Sequence, residues 1–444
     1  MMGIFDSIAN RIADGVLAGL QRDDWRHEYR VGNQKKMLRT KPGAPDYNMS
    51  VNFTGLIVDR SVSAMLGKGV RFDLPGDSND TPEDVYLSAA WDANKQQVLL
   101  MRAALMAAEQ GTGFIKIQNG GVVSLNGKEY PRLIAVDPRW VQIVTAPEDK
   151  ELVMQYLITY AFTGPDGKER ARQQRIEIED GVWYIRDYQD TVNGRMEMVG
   201  EEVWPFDFCP MIHWQNLPST DTAEGVSDIG DDMRVLQDRI NRVASNMDKI
   251  IHLYAHPQRW GKMLGQNTTL QMGPDDMPSF SSADAAINQL EPLGDLAGAR
   301  EFLRFLRQSF FDISRTVDID SMQDKIGSLT NFGLRVLYND ALAKIATKRE
   351  LMGDALAELC ARLLVMGGFD AQAVTVVWPD VLPSNAVEDT AEDKQLVEMS
   401  IKSRQTVAME RGLDWETEQE RIRQEKTASS DIGTALLGMF DRGQ

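Results

Sequence analysis

Two histidines one helical turn apart are the residues whose spacing comes closest to metal chemistry. His252 and His256 stand at i and i+4, and on a helix this spacing places two imidazoles on one face, where they can share a zinc ion. Pro257 follows at once, and neither a cysteine nor the glutamate of a His-Glu-x-x-His pattern accompanies the pair. We therefore expect two surface histidines near a helix end and no metal site.

Three short segments invite comparison with nucleotide-binding or nuclease motifs. Leu66-Gly67-Lys68-Gly69 has a lysine but lacks the upstream glycine and the hydroxyl residue of a phosphate-binding loop, so it is typical of a helix end. Gly111-Thr112-Gly113 precedes a β-rich segment, whereas a phosphate loop opens a helix. Pro165-Asp166-Gly167-Lys168 lies between two β-rich segments, as a turn does. The sequence therefore predicts no catalytic residues, no cofactor and no enzymatic activity.

The composition is that of an acidic protein with more than one part. The 444 residues exceed an ordinary single core, and 43% of them are hydrophobic. A formal charge of -18 makes the whole surface repel nucleic acid, which excludes a basic DNA-reading domain. Cys209 and Cys360 lie in apolar surroundings without a Cys-x-x-Cys spacing, and this predicts buried free thiols. Residues 4–21 have the pattern of a short amphipathic helix that carries charges, and no apolar run is long enough for a bilayer, so we expect no membrane segment.

The first half of the chain alternates helical and β-rich patterns. A helix within residues 50–74 stops at Gly67 and Gly69 before a strand at 70–74, and a second helical pattern covers 83–110. A strand begins at Phe114, and turn residues then separate further short β-rich pieces at 132–136, 141–144, 152–159, 175–178, 182–187 and 196–203. The pattern predicts an antiparallel α+β domain that ends near Pro218.

Two long amphipathic helices follow, with a compact insertion of about 40 residues between them. Apolar residues recur at steps of three and four in both, which predicts a heptad-like seam along each helix. The seam residues are Ile229, Met233, Leu236, Ile240, Val243 and Met247 in the first helix and Leu296, Leu303, Leu306, Phe310 and Ile313 in the second.

The remainder of the chain is predicted to be a polar loop, a third long helix and a charged helical end. The loop contains Asp318, Asp320, Asp324, Lys325, Ser328, Thr330 and Asn331. The third helix covers 334–366 and ends at Gly367-Gly368, a strand follows at 374–378, and residues 386–426 have the pattern of surface helices. The fold class is therefore α+β, mostly α.

The order of these parts resembles the portal proteins of tailed bacteriophages. Asn52 before an apolar helix and Leu66-Gly-Lys-Gly-Val-Arg-Phe72 resemble the family's N-terminal motif, and Gly113-Phe-Ile-Lys-Ile with Ala135-Val-Asp-Pro-Arg resembles its strand and Asp-Pro turn. Downstream, Gly225-Val-Ser-Asp-Ile is similar to the entry of the stem helix, and Asp380-Val-Leu-Pro-Ser leads to Ser403-Arg-Gln-Thr. The resemblance runs from about residue 50 to about residue 426.

The resemblance implies an elongated, portal-type subunit with named parts. Residues 1–224 and 334–367 would form an α+β wing, 225–253 and 294–316 the two stem helices, and 254–293 a small clip. Residues 317–333 would be the tunnel loop that approaches DNA in the channel. Residues 368–444 would form a helical C-terminal crown.

The same resemblance implies what the protein does and with what it assembles. It predicts a homo-oligomeric ring of twelve subunits at the capsid vertex of the virion, assembled in the host cytoplasm, through which double-stranded DNA passes without sequence preference. The expected partners are the terminase packaging motor, the head-tail adaptor, and the major capsid and scaffolding proteins, with no membrane involved. A phage-encoded nuclease and a minor capsid or adaptor protein stay open as alternatives.

Overall fold

The fold is that of a computed structural model, in which residues 1–379 and 380–444 form two compact units. It describes residues 25–43, 45–75, 81–124, 126–163, 167, 169–190, 196–255, 259–262, 284, 286–289, 296–318, 331–381, 386–410, 415 and 418–423. The predicted amphipathic helix at 4–21 and His256 lie outside these residues.

Helices in the described part of the first unit are short before residue 231 and long after it. They are α1 (Trp25–Val31), α2 (Phe53–Leu66), α3 (Pro82–Ala93), α4 (Gln96–Gln110), α5 (Asp231–Ala255), α6 (Ala297–Ser314), α7 (Asn331–Leu337) and α8 (Asn339–Met366). Asn52 caps α2, because its side-chain oxygen accepts the Gly55 N–H at 3.0 Å. None of the described helices is long and apolar enough to cross a bilayer.

All described strands pair antiparallel, as predicted, and the α+β fold class is confirmed. The strands are β1 (Arg71–Asp73), β2 (Thr112–Val123), β3 (Glu129–Ala135), β4 (Val141–Thr145), β5 (Val153–Thr163), β6 (Glu169–Glu179), β7 (Val182–Asp190), β8 (Met196–Val203), β9 (Met211–Gln215), β10 (Arg259–Lys262), β11 (Ala286–Gln289) and β12 (Thr375–Val377). They form a five-stranded sheet β4-β5-β6-β7-β8, a three-stranded sheet β3-β2-β9, and two ladders, β1-β12 and β10-β11.

The core lies where α2, α4 and α8 surround the three-stranded sheet. Trp91, Phe114, Leu356 and Leu363 are buried there. The indole N–H of Trp91 donates to the Cys360 sulfur at 3.3 Å. Cys209 and Cys360 are both free and buried, so that prediction is confirmed. Burial raises the pKa of both thiols to about 12, which keeps them protonated and unreactive.

The Gly111-Thr112-Gly113 segment is a tight turn, as predicted. Gly111 has φ +103°, and a Cβ there would lie 2.4 Å from the carbonyl oxygen of Gly225. A Cβ on Gly113 would lie 2.1 Å from the Trp214 ring. The glycines thus permit β2 to leave α4 and pass directly under the segment that leads into α5.

Two predicted helices differ from the structure. The 83–110 pattern is two helices, because Asn94 ends α3 and Lys95 adopts a left-handed backbone with φ 54°. The Asn94 side chain compensates for the break: it donates to the Pro131 carbonyl at 2.9 Å and accepts the Leu133 N–H at 2.8 Å. The 334–366 pattern is likewise α7 and α8, which are separated at Tyr338.

The described part of the second unit contains α9 (Ala386–Glu398) and α10 (Arg404–Glu410). Ser403 caps α10, because its hydroxyl accepts the Thr406 N–H at 3.0 Å. Residues 386–410 are therefore helical, in agreement with the predicted charged helices.

Candidate functional site

The two long helices form one antiparallel hairpin. They pack against each other, and at 1.5 Å per residue α5 is about 37 Å long and α6 about 27 Å long. Beyond them the chain forms the β10-β11 ladder, with Arg259 opposite Gln289 and Lys262 opposite Ala286. We call α5, α6 and this ladder the helical hairpin.

The predicted seam is correct in part. Ile229, Met233, Ile240, Leu306 and Phe310 are buried, whereas Leu236, Val243, Met247, Leu296 and Leu303 are partly exposed. The prediction was wrong for Ile313, which is 49% exposed, because Phe311 and Ser314 take the buried positions at this end of α6. A straight helix has 3.6 residues per turn, so a strict heptad drifts off the buried face.

The buried face of α5 is largely polar, a feature that the apolar pattern did not reveal. Gln237, Asn241 and Ser245 are buried and hold residues 45–53, an extended segment that we call the strap. Asn241 Oδ1 accepts the Val51 N–H at 2.9 Å and the Ser245 hydroxyl accepts the Met49 N–H at 2.9 Å.

The spacing of these contacts explains how a helix can hold a strand. Four residues of helix rise about 6 Å, and two residues of extended chain span about 6.6 Å. Side chains four apart on α5 therefore meet strap N–H groups two apart, at Phe53, Val51 and Met49. The contact fixes both the register and the rotation of α5.

We expect Asn241→Ala to lower the free energy of unfolding by about 1–3 kcal/mol, because the Val51 N–H loses its acceptor. Asn246→Ala removes the same type of side chain from the exposed face of the same helix, and it should change the free energy of unfolding by less than about 0.5 kcal/mol. Urea unfolding followed by tryptophan fluorescence measures both. Equal effects of the two variants would show that the strap contributes nothing to stability.

A buried ionic cluster joins the upper ends of the hairpin to α8. The Asp228 carboxylate is 2.5 Å from Lys348 Nζ and 3.1 Å from Lys344 Nζ, and the three side chains are 1%, 3% and 8% exposed. Lys348 also donates to the Ser61 hydroxyl at 2.9 Å. Burial lowers the pKa of Lys348 to about 8, which Asp228 offsets only in part. Burial alone would raise the pKa of Asp228, but the two lysines outweigh it and keep the carboxylate charged.

This cluster complements both helix dipoles. Asp228 lies three residues before α5, where the helix N-terminus carries partial positive charge, and Lys344 donates to the Ser314 carbonyl at the C-terminus of α6 at 3.1 Å. The alternation of charges holds the two helix ends side by side. Sequence reasoning missed the cluster, although one signal was present: counting back by fours from the buried Leu356 and Met352 leads to Lys348 and Lys344.

The entry to the predicted tunnel loop is fixed by three contacts. Arg315 ends α6 in a left-handed conformation with φ 54°. Asp318 pairs with Arg307 at 2.6 Å, and the Val317 carbonyl accepts from Arg60 at 3.3 Å. Of the other predicted loop residues, Asn331 already belongs to α7, so the loop ends earlier than the predicted residue 333. Asp320, Asp324, Lys325, Ser328 and Thr330 lie outside the described residues.

The comparison with protein families decides what this architecture belongs to. The model of the phage portal proteins of the SPP1 Gp6-like type matches residues 12–431. The chain belongs to this portal protein family. The resemblance inferred from the sequence is thereby confirmed, and the chain is a structural component of a phage-like virion.

Solved structures offer weaker likenesses to the portal protein. One is a chain from the neck of an empty gene transfer agent particle, with a TM-score of 0.48, 14% identity, and coverage of 81% of this chain and 90% of that chain. Another, from the virion of a native gene transfer agent particle, has a TM-score of 0.45, 14% identity, and coverage of 87% and 99%. Comparison with curated proteins gives no match. The family assignment therefore rests on the sequence match.

Within the described residues, no group of three or more histidine, cysteine, aspartate or glutamate side chains is arranged to hold a metal ion. His213 is buried beside Phe114 and donates to or accepts from the Tyr156 hydroxyl at 2.7 Å. Burial lowers the pKa of His213, which favours the neutral ring. His252 lies against Tyr47, with 5.2 Å between ring centroids.

Proposed function

We propose that this portal protein assembles into a closed ring of twelve copies around a channel for double-stranded DNA. The observation that carries the proposal is the outer surface of the helical hairpin. Phe302, Phe305 and Ile313 are 47%, 62% and 49% exposed along α6, and Val235 is 58% exposed on α5. Exposed apolar side chains in one row on a family of virion proteins mark a protein–protein contact.

The parts of the subunit follow from this proposal. The hairpin helices are the stem, within residues 225–253 and 294–316, and the β10-β11 ladder belongs to the clip at 254–293. The α+β region at 1–224 together with 334–367 is the wing. Residues 317–333 include the tunnel loop, and 368–444 form the crown.

The charge of the chain suits a channel that does not bind its cargo. A lysine or arginine that neutralises a phosphate adds affinity, and affinity at fixed positions retards sliding. Twelve copies at -18 each carry a formal charge of 12 × -18 = -216, which repels DNA from the wall within a Debye length of about 8 Å at physiological salt. The ring thus conducts DNA without sequence preference and without catalysis.

The two ends of the ring serve different partners. The clip end docks the terminase packaging motor and later the head-tail adaptor, while the wing and crown meet the major capsid and scaffolding proteins. Assembly takes place in the host cytoplasm, and the ring remains in the virion at the portal vertex.

Native mass measurement and particle images of the purified full-length chain test the proposal. We expect a closed ring that persists at micromolar concentration. A chain that stays monomeric over a range of salt concentrations would contradict the ring. Metal-dependent DNA cleavage or ATP turnover that a point substitution in this chain abolishes would favour the alternative of a phage enzyme.

A further inference from the structure

The hairpin helices each have a second face that no described residue covers. On α5, Val235, Arg239, Arg242, Asn246 and Lys249 are exposed and recur at steps of 4, 3, 4 and 3. At 100° per residue, Val235 and Arg239 each lie about 160° around the helix from Gln237, which faces the strap. On α6, Phe302 lies about 180° around from Phe311, whose ring packs on Phe53 of the strap at 5.5 Å. The strap and the exposed face therefore occupy opposite sides of the hairpin.

The exposed face has the composition of a protein contact. Phenylalanine and arginine are enriched in interface cores relative to the rest of the surface. Phe302 and Phe305 stack at 6.4 Å between ring centroids with an angle of 19°. A row of aromatic rings along a water-filled channel would stay in contact with water, whereas a protein partner would bury it.

The charge of this face points to a second copy as the partner. Its three cations, Arg239, Arg242 and Lys249, stand on a chain whose formal charge is -18. An identical copy therefore presents a predominantly acidic surface to them. The strap itself has a charge of this kind, because the Asp46 side chain is 41% exposed.

The two opposite sides of the hairpin also match in height. The Phe53 N–H donates to Gln237 Oε1 at 3.2 Å and the Phe53 ring lies 5.8 Å from that of Phe310, so Gln237 and Phe310 share a level. Eight residues further down each helix, 237 + 8 and 310 − 8, are Ser245 and Phe302. The Met49 N–H donates to the Ser245 hydroxyl, so the strap presents Met49, 44% exposed, at the level of Phe302.

We propose that the exposed face of the helical hairpin in one copy packs on the strap of the next copy around the ring. A head-to-tail contact of this kind joins two different surfaces of identical subunits and closes when the rotation permits. Met49 then lies near the Phe302–Phe305 pair of its neighbour, a favourable contact between sulfur and aromatic rings. The inference rests on the proposed ring and names the surfaces that build it.

Phe305→Asp tests the exposed face. Because Phe305 is 62% exposed, the substitution removes little packing within one chain, so the variant should keep the wild-type urea midpoint yet remain monomeric by native mass measurement. Val85→Asp is the matched control, because Val85 is 60% exposed on α3 and lies off this face. It should form rings as the wild type does.

Paired cysteines test the strap. Met49→Cys combined with Phe302→Cys, or with Phe305→Cys, should give a ladder of disulfide-linked oligomers on oxidation, because the two positions lie on opposite sides of one chain and can meet only between copies. Each single variant should give no ladder, since Cys209 and Cys360 are buried.

The outcomes separate the two proposals. A monomeric wild type contradicts the ring and this contact together. Wild-type rings combined with intact Phe305→Asp rings and no ladder leave the ring standing and overturn the contact. Intact Phe305→Asp rings whose DNA retention is lost on changing Arg239 and Arg242 to glutamate would show that the face lines the channel, which also overturns it.

Discussion

Replacing Asp228 by alanine is expected to lower the free energy of unfolding by about 3–5 kcal/mol, because it leaves buried positive charge without its partner. Lys344 and Lys348 are 8% and 3% exposed, and both lie within 3.1 Å of the Asp228 carboxylate. Neither lysine can reach water without disturbing the packing of α8 on the hairpin. The expected loss is large relative to the stability of an ordinary domain, about 5–15 kcal/mol.

Two further variants show whether the loss comes from charge or from volume. Asp231→Ala removes an exposed carboxylate three residues away, whose side chain is 74% exposed in its pair with Arg234, and should cost less than about 1 kcal/mol. Asp228→Leu combined with Lys344→Met and Lys348→Met removes every charge of the cluster. It should be more stable than Asp228→Ala, because replacing a whole buried ionic group by apolar side chains is often neutral.

Urea unfolding of the full chain under one set of conditions compares these proteins, provided that the slope with denaturant is unchanged. Similar midpoints for Asp228→Ala and Asp231→Ala would show that the cluster is hydrated and contributes little. A triple variant less stable than Asp228→Ala would show that shape rather than charge dominates at this position.

Local patterns in the sequence were sufficient for the elements and their order. The predicted strand at 196–203 is β8 to the residue, because period-two alternation and the Asn193-Gly194 turn signal are both local. The long helices were found because their amphipathic period repeats over many turns. Breaks without glycine or proline, such as the one at Asn94 and Lys95, were missed, because a side-chain contact with a distant strand stabilises them.

Contacts between distant residues were beyond such patterns. Gln237, Asn241 and Ser245 are polar, and polar residues on a helix are normally solvent-exposed, so the sequence assigned the buried face to apolar neighbours. Their partners in the strap are about 190 positions away in the chain. The heptad template also misplaced Ile313, which is exposed in the single chain and lies beside Phe302 and Phe305 on the face assigned here to the neighbouring copy.

Replacing residues 319–329 by glycine and serine residues of equal number is expected to leave rings intact and to impair DNA packaging or retention in assembled heads. Rings should form because the segment contains no residue of the strap or of the exposed hairpin face. The entry to the segment is anchored independently of it, by the Arg307–Asp318 pair at 2.6 Å and by Arg60 at the Val317 carbonyl.

The function should suffer because the substitution removes the charged side chains of the proposed tunnel loop. Lys325 would form one ring of cations able to touch phosphates briefly, while Asp320 and Asp324 limit the attraction. The same replacement at residues 191–195, in the connection between β7 and β8, is the control and should package normally. Counts of filled heads and of DNA that leaks from them measure the effect. Loss of rings with a folded monomer would make residues 319–329 an assembly element, and normal filling with normal retention would remove them from the channel.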